Sequence, residues 1–340
     1  MPQPFNEFDL IAKYFRPLTK SGTGAFALGD DVAMLQDADI VTKDVLVAGV
    51  HFFPDDPLDL VAKKGLRVNI SDIIAKAARP AGYVLGCVWN NDATEDDLAL
   101  FTKGLSQDQQ AHQLYLLGGD TTKSQNSGSG LTMVSVTMFG QLPKGQPLIA
   151  RRNACPGDVV FVSGTMGDAY LGLLLRQNLI SLTTMSKSDQ AFLAGRYLLP
   201  EPPLPLISAL GANAHASIDV SDGLLADAGH IAKASQIDMD IWLDKMPLSE
   251  AAGRWLANQK NIDQAMGQLA TGGDDYQVLC TVAPNKVDDY QAQAKQAGVS
   301  VTKIGICLAG DGTIHALNAQ RQEVEIPSSG YSHFNAPQAE

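Results

Sequence analysis

The sequence predicts an α/β protein of two domains, and three observations carry that expectation. The chain has 340 residues, too long for one small domain, and 45% of them are hydrophobic, enough for a sizeable core. Strand-like runs rich in β-formers alternate with helix-like runs whose apolar residues recur every three or four positions. Between residues 140 and 157 the alternation lapses, and Gly, Pro, Lys and Arg gather. The expected domains are therefore 1–145 and 146–334.

Residues 40–50 are β-rich and lead into Gly49-Val50-His51-Phe52. A helix over about 57–78 follows, because Leu58, Val61, Ala62, Leu66, Ile70, Ile73, Ile74 and Ala77 keep the three-or-four spacing, with Pro80 beyond its end. Residues 84–89 read as a buried strand, and Thr94 as the N-cap of a helix opening on Glu95-Asp96-Asp97. A short strand at 114–117 is expected to end at Gly118-Gly119-Asp120, and 131–139 is a further strand. In the second half the pattern predicts a strand at 158–163, a turn at 164–168 and a helix at 169–177. The Pro-rich stretch 200–205 must be extended. A strand ends over 216–220, and Ser221-Asp222-Gly223 opens a helix through 234. A Gly-rich turn and a strand lie between 269 and 281, and the last ten residues read as a tail that Tyr331, His333 and Phe334 could dock.

Lys and Arg total 25 against 37 for Asp and Glu, a net charge of −12, so neither nucleic acid nor an anionic membrane is expected as the main partner. The four cysteines lie far apart, which argues against a zinc site or a disulfide framework. The start shows no basic-then-apolar leader and no stretch of about 20 apolar residues occurs, so the expected address is the cytoplasm. There is no P-loop, no G-x-G-x-x-G after a strand, no G-x-S-x-G and no H-E-x-x-H.

What stands out is aspartate: 30 Asp against 7 Glu, many beside glycine. Each Asp-Gly pair alone is a turn signal. Together, Asp30/Asp31, Asp44, Asp72, Asp120 and Asp219/Asp222 adjoin strand ends or sit on a helix between strands, and such ends gather on one edge of an α/β sheet. Bare carboxylates there would repel by about 4 kcal/mol per pair at 4 Å and an effective dielectric near 20. Mg²⁺, a hard cation that takes carboxylate and phosphate oxygens together, answers that repulsion and offers a way to hold ATP without a P-loop. Asn69 and Asp72, three apart, share one helix face, either a solvated face or part of this site. Ser221 and Asp222 could cap a helix or present its N–H groups to a phosphate. His51 could equally be a turn residue.

The segments Gly29-Asp30-Asp31-Val32-Ala33, Asp44 through His51-Phe52, Val68-Asn69-Ile70-Ser71-Asp72-Ile73, Gly118-Gly119-Asp120-Thr121-Thr122, Ile218-Asp219-Val220-Ser221-Asp222-Gly223-Leu224 and Gly272-Gly273-Asp274-Asp275-Tyr276 come in the order seen in the thiamine-monophosphate kinase family. The closing Gly330-Tyr331-Ser332-His333-Phe334 resembles that family's C-terminal signature. The resemblance spans residues 5–334 and implies the aminoimidazole-ribonucleotide synthetase-like fold: an N-terminal ATP- and Mg²⁺-binding α/β domain that dimerises through its sheet, and a C-terminal α/β domain. It implies Mg²⁺-dependent phosphorylation of thiamine monophosphate by ATP. By the same resemblance Asp31, Thr42, Asp44, Asp72, Asp120, Asp219 and Asp222 are Mg²⁺ ligands, and Gly119, Asp120, Arg151 and Ser221 contact ATP. His51, Asp274 and Tyr331 contact thiamine monophosphate, Tyr331 by stacking unless it is a packed tail aromatic. The chain departs from the family pattern at Lys43 for Thr, Lys76 for Met, Ala78 for Gly, Leu199 and Pro203 for Arg, and Asp274 for Glu. The competing expectations are another ATP-dependent enzyme of the superfamily and a non-catalytic nucleotide-binding module.

Overall fold

The computed structural model describes residues 7–20, 23–35, 39–125, 128, 130–180 and 185–326. One helical turn, α1 (Glu7–Leu10), precedes the first sheet. That sheet holds β1 (Ala33–Met34), β2 (Asp39–Val47), β3 (Arg79–Trp89), β4 (Tyr115–Lys123) and β5 (Leu131–Gln141), in the order β1-β2-β5-β3-β4. Helix α2 (Leu58–Ala75) links β2 to β3, and α3 (Glu95–His112) links β3 to its parallel neighbour β4. Thr94 caps α3, as the sequence predicts, and the Asp97 side chain completes a capping box with it.

The second sheet holds β6 (Val159–Ser163), β7 (Ala214–Asp219), β8 (Ile237–Trp242), β9 (Val278–Val282), β10 (Val301–Ala309) and β11 (Ile314–Leu317), in the order β11-β8-β10-β6-β9-β7. Around it run α4 (Asp168–Arg176), α5 (Lys187–Leu198), α6 (Ile207–Asn213), α7 (Leu224–Ser235), α8 (Glu250–Ala257), α9 (Ile262–Thr271) and α10 (Val287–Gln296). Among the described residues, no helix is long and apolar enough to cross a membrane.

Helix α2 positions the site. It packs on β2 and β5 of the first sheet and also on β7 and β9 of the second. Its residues are buried on almost every side, which is why its apolar positions run round the helix rather than along one stripe. Helix α3 crosses it at Gly104, where a Cβ would sit 2.2 Å from the Asp59 carbonyl oxygen, so only glycine permits the approach.

Two strands differ from the sequence pattern. β3 begins at Arg79, ahead of the expected 84, because Pro80 masks a strand whose register shifts between Pro80 and Tyr83. β4 does not end at Gly118-Gly119-Asp120 but runs through them to Lys123. Gly119 serves strand packing rather than a turn: a Cβ there would fall 2.0 Å from the Leu85 carbonyl oxygen on β3, whereas one on Gly118 would meet nothing within 4 Å.

Candidate active site

Aspartates far apart in the sequence meet where α2 passes between the two sheets. β2 turns Thr42 and Leu46 inward, and Asp44 shares their alternation. α2 carries Asp72, β7 ends on Asp219, and the loop before β1 supplies Asp30 and Asp31. Thr42 Oγ1 lies 2.5 Å from Asp72 Oδ2 and 3.0 Å from the Asp31 carbonyl oxygen. Carboxylate oxygens of Asp31, Asp72 and Asp219 lie within 4.8 Å of one another.

Such a group cannot stay fully ionised unaided. Burial raises the Asp44 carboxyl to about 7, with Asp219 and Asp222 adding and Lys43 opposing. Burial, then Asp219 and Asp44, push Asp72 well above the carboxylate range, against the Thr42 hydrogen bond. Burial also raises Asp219, opposed by a Ser71 hydrogen bond and by Arg151 and Lys76.

The available cations sit at one end. Lys76 Nζ is buried, 2.8 Å from Asp30 Oδ1 and 2.5 Å from Asp31 Oδ2, and donates to the Ser217 carbonyl oxygen at 2.8 Å. The Arg151 guanidinium pairs with Asp31, and its backbone N–H donates to Asp30 Oδ2 at 3.2 Å. Lys43 donates instead to Ser135 on β5. Among the described residues no Lys or Arg forms an ion pair with Asp44, Asp72 or Asp219, so burial favours their protonated forms, and an all-oxygen donor set left without a cation is the chemistry that suits Mg²⁺.

The loops behind this group are braced by backbone. The Asp227 carboxylate accepts the N–H groups of Ser221 and Asp222 at 3.0 and 3.1 Å. Those N–H groups are therefore engaged, and Ser221 is not the cap: Gly223 precedes α7, with φ +115° and a would-be Cβ 2.7 Å from the Thr271 carbonyl oxygen. Asp274 N–H donates to the Ser221 carbonyl oxygen and Tyr276 N–H to that of Val220, both at 2.8 Å. Asp222, Asp227 and His230 form a second ligand group, and burial followed by Arg151 lowers His230 to about 4, leaving a neutral imidazole at neutral pH.

A second cluster adjoins the first. Lys64 Nζ, on α2, lies 3.0 Å from Asp274 Oδ2 and 3.0 Å from the His51 carbonyl oxygen, and 4.2 Å from the centre of the Tyr197 ring. Tyr276 Oη donates to Asp274 Oδ1 at 3.2 Å. His51 stands on a tight turn after β2, where Gly49 has φ +80°, and its Nδ1 accepts the Val47 N–H at 3.0 Å. A neutral His51 ring therefore carries its proton on Nε2. A cation, a carboxylate, an imidazole and two phenol rings together suit a small charged aromatic molecule.

Of the residues singled out in the sequence, Asp31, Thr42, Asp44, Asp72, Asp219, Asp222, Arg151 and Ser221 come together, and His51 and Asp274 meet through Lys64. Gly119 and Asp120 lie on β4, three strands from β2, and the register sets Gly119 in the row of Asp44 through Leu85 and Val136. The register aligns Asp120 with Gly86, Ser135 and Val45, one position off the row of Asp44, so it lies on the other sheet face. Tyr331 lies outside the described residues. Lys64, Asp227, His230 and Tyr197 were not singled out, and Tyr276 stood only as the end of the Gly272–Tyr276 motif, without a role. For Lys64 the sequence gives no separate signal: Lys63 and Arg67 lie beside it on the same helix, and only its burial in the fold sets it apart.

Two family models match the chain. The N-terminal domain of AIR synthase related proteins matches residues 29–142, and the C-terminal domain of the same family matches 155–317. The chain is 42% identical to a thiamine-monophosphate kinase of Caulobacter vibrioides, over 91% of this chain and 86% of that one. It is 34% identical to the thiamine-monophosphate kinase of Escherichia coli K12, over 97% of this chain and 99% of that one. Its fold is similar to a solved structure of AaThiL complexed with AMPPCP and TMP, with a TM-score of 0.81, 28% identity and 97% of both chains covered.

Proposed function

From the premise that the chain belongs to the AIR synthase related proteins and, within them, to the thiamine-monophosphate kinases, we infer that its aspartate cluster is where ATP and thiamine monophosphate react. The activity is phosphotransfer from ATP to thiamine monophosphate, giving thiamine diphosphate and ADP. The observation that carries the site assignment is the meeting of Asp31, Asp72 and Asp219, with Asp44 beside them, in a buried set short of positive charge.

In this reading Asp31, Thr42, Asp44, Asp72, Asp219 and Asp222 hold several Mg²⁺ ions, which lower the repulsion between two phosphate groups. Gly119 and Asp120, in the Gly-Gly-Asp motif that resembles the family's, contact nucleotide and metal. Arg151 Nε, buried and without a hydrogen-bond partner among the described residues, offers a donor to an ATP phosphate oxygen. Lys64, Asp274 and Tyr276 hold the acceptor molecule, His51 Nε2–H donates to it, and Tyr331 stacks on its ring. The acceptor is a phosphate oxygen already ionised at neutral pH, so the chain needs no general base. It supplies position and charge balance instead. Transfer is direct and in line, without a phosphoenzyme.

The domains meet at 145/146, and the address is cytoplasmic. A homodimer forms along β4, the sheet edge on which Tyr115, Leu116 and Leu117 are exposed.

The test is a coupled assay of thiamine diphosphate formation with and without Mg²⁺, run with ATP chiral at the γ-phosphate. Mg²⁺-dependent product with inverted phosphorus is expected. Retention rejects direct transfer, and ATP binding without thiamine-phosphate-dependent ADP release leaves only a nucleotide-binding module.

A further inference from the structure

We propose that the ammonium of Lys76 is a built-in cation of this site, standing where a divalent ion would otherwise be needed between Asp30 and Asp31. Lys76 is the residue after α2 and is fully buried. Its ammonium donates to the Ser217 carbonyl oxygen and forms ion pairs with the Asp30 and Asp31 carboxylates. A lysine is almost never buried this fully unless paired.

Charge balance shows what it does. Asp30 and Asp31 bring two negative charges, and Lys76 and Arg151 bring two positive ones, so this end of the site is neutral without any ion. The demand for divalent cations is then confined to the Asp44, Asp72, Asp219 and Asp222 side. Asp31 still serves both sides: its Oδ2 lies 2.5 Å from Lys76 Nζ but outside hydrogen-bond geometry, which leaves a lone pair for an ion shared with Asp72 and Asp219. Removing the ammonium leaves two adjacent buried carboxylates under-neutralised, and a divalent ion is the natural replacement.

The inference rests on the reading that the aspartates bind divalent ions, and the experiment separates the two. Mn²⁺ bound per chain is counted by equilibrium dialysis with a non-hydrolysable ATP analogue present, for the wild type, Lys76→Met and Lys76→Arg. Lys76→Met should bind one Mn²⁺ more than the wild type, and its half-saturating Mg²⁺ for activity should rise about tenfold. Lys76→Arg, which keeps the charge, should bind the wild-type number. Lys76→Met should also melt lower than the wild type in EDTA and recover in Mn²⁺. An unchanged ion count in Lys76→Met overturns the inference. So does a variant that folds neither in EDTA nor on refolding with Mn²⁺, since an ion able to replace the ammonium would have rescued it. A wild-type chain that binds no Mn²⁺ at all overturns the metal reading itself.

Discussion

Asp72→Asn should stabilise the metal-free protein and weaken the metal-loaded one. Asp72, Asp219 and Asp31 present oxygens within 4.8 Å of one another, and two unit charges at that distance repel by ~3 kcal/mol at an effective dielectric of ~20. Asparagine keeps the shape and still accepts the Thr42 hydrogen bond, but carries no charge. Part of the repulsion is already relieved in the wild type, because burial and its neighbours drive Asp72 to hold a proton. The net gain in EDTA is therefore about 1–2 kcal/mol, a rise of a few degrees in Tm for a chain of this size. In saturating Mg²⁺ the sign reverses, because a ligand has been lost, and activity should fall about a hundredfold. Thermal unfolding in EDTA and in MgCl₂, beside the thiamine-phosphate-dependent release of ADP, measures both halves. A variant equally destabilised in the two buffers, or one that keeps the wild-type Mg²⁺-induced rise in Tm, refutes the reasoning.

Three further outcomes are expected. Lys64→Met removes the cation joining His51 to Asp274, so the KM for thiamine monophosphate should rise about tenfold while that for ATP stays within about twofold; parallel rises in both would show a general loss of structure. Burial raises the Asp275 carboxyl from 3.8 to about 8, against hydrogen bonds from Gly167 and Ala169, so the folded chain keeps a proton that the unfolded chain releases. Stability contributed by this group is then lost as pH rises from about 4 through about 8, and Asp275→Asn should flatten that slope in urea midpoints at pH 5.5 and 8.5; an unchanged slope contradicts the assignment. Gly119→Ala places a Cβ 2.0 Å from the Leu85 carbonyl oxygen and should cost about 2 kcal/mol or more by forcing β4 off β3; an unaltered melting temperature would show that the strands do not approach so closely.

The helix now seen as α2 was legible because its apolar spacing, its following proline and its length agree. The capped start of α3 was legible for a similar reason, since Thr94 and Asp97 act through their immediate neighbours. β4 was misread because Gly-Gly-Asp is a local turn signal, and only the partner strand explains why glycine is required there. Much of the second domain escaped pattern reading. β8 does alternate buried and half-buried residues, but Asp238 and Asp240 dilute its β-propensity. The aspartates themselves were visible in the sequence. Their cations were only partly so: that Lys76 faces Asp30 and Asp31, while Lys43 turns to Ser135, depends on which face of α2 and β2 meets which loop. Lys64 likewise acquires meaning only once Asp274, distant in sequence, is folded against it.

The most direct test of the central claim is calorimetric titration of a non-hydrolysable ATP analogue into the protein, once in MgCl₂ and once in EDTA. If nucleotide is gripped through divalent ions on Asp44, Asp72 and Asp219, the chelated protein should bind at least ~3 kcal/mol more weakly, about a hundredfold in Kd. Equal affinity in the two buffers would contradict the account.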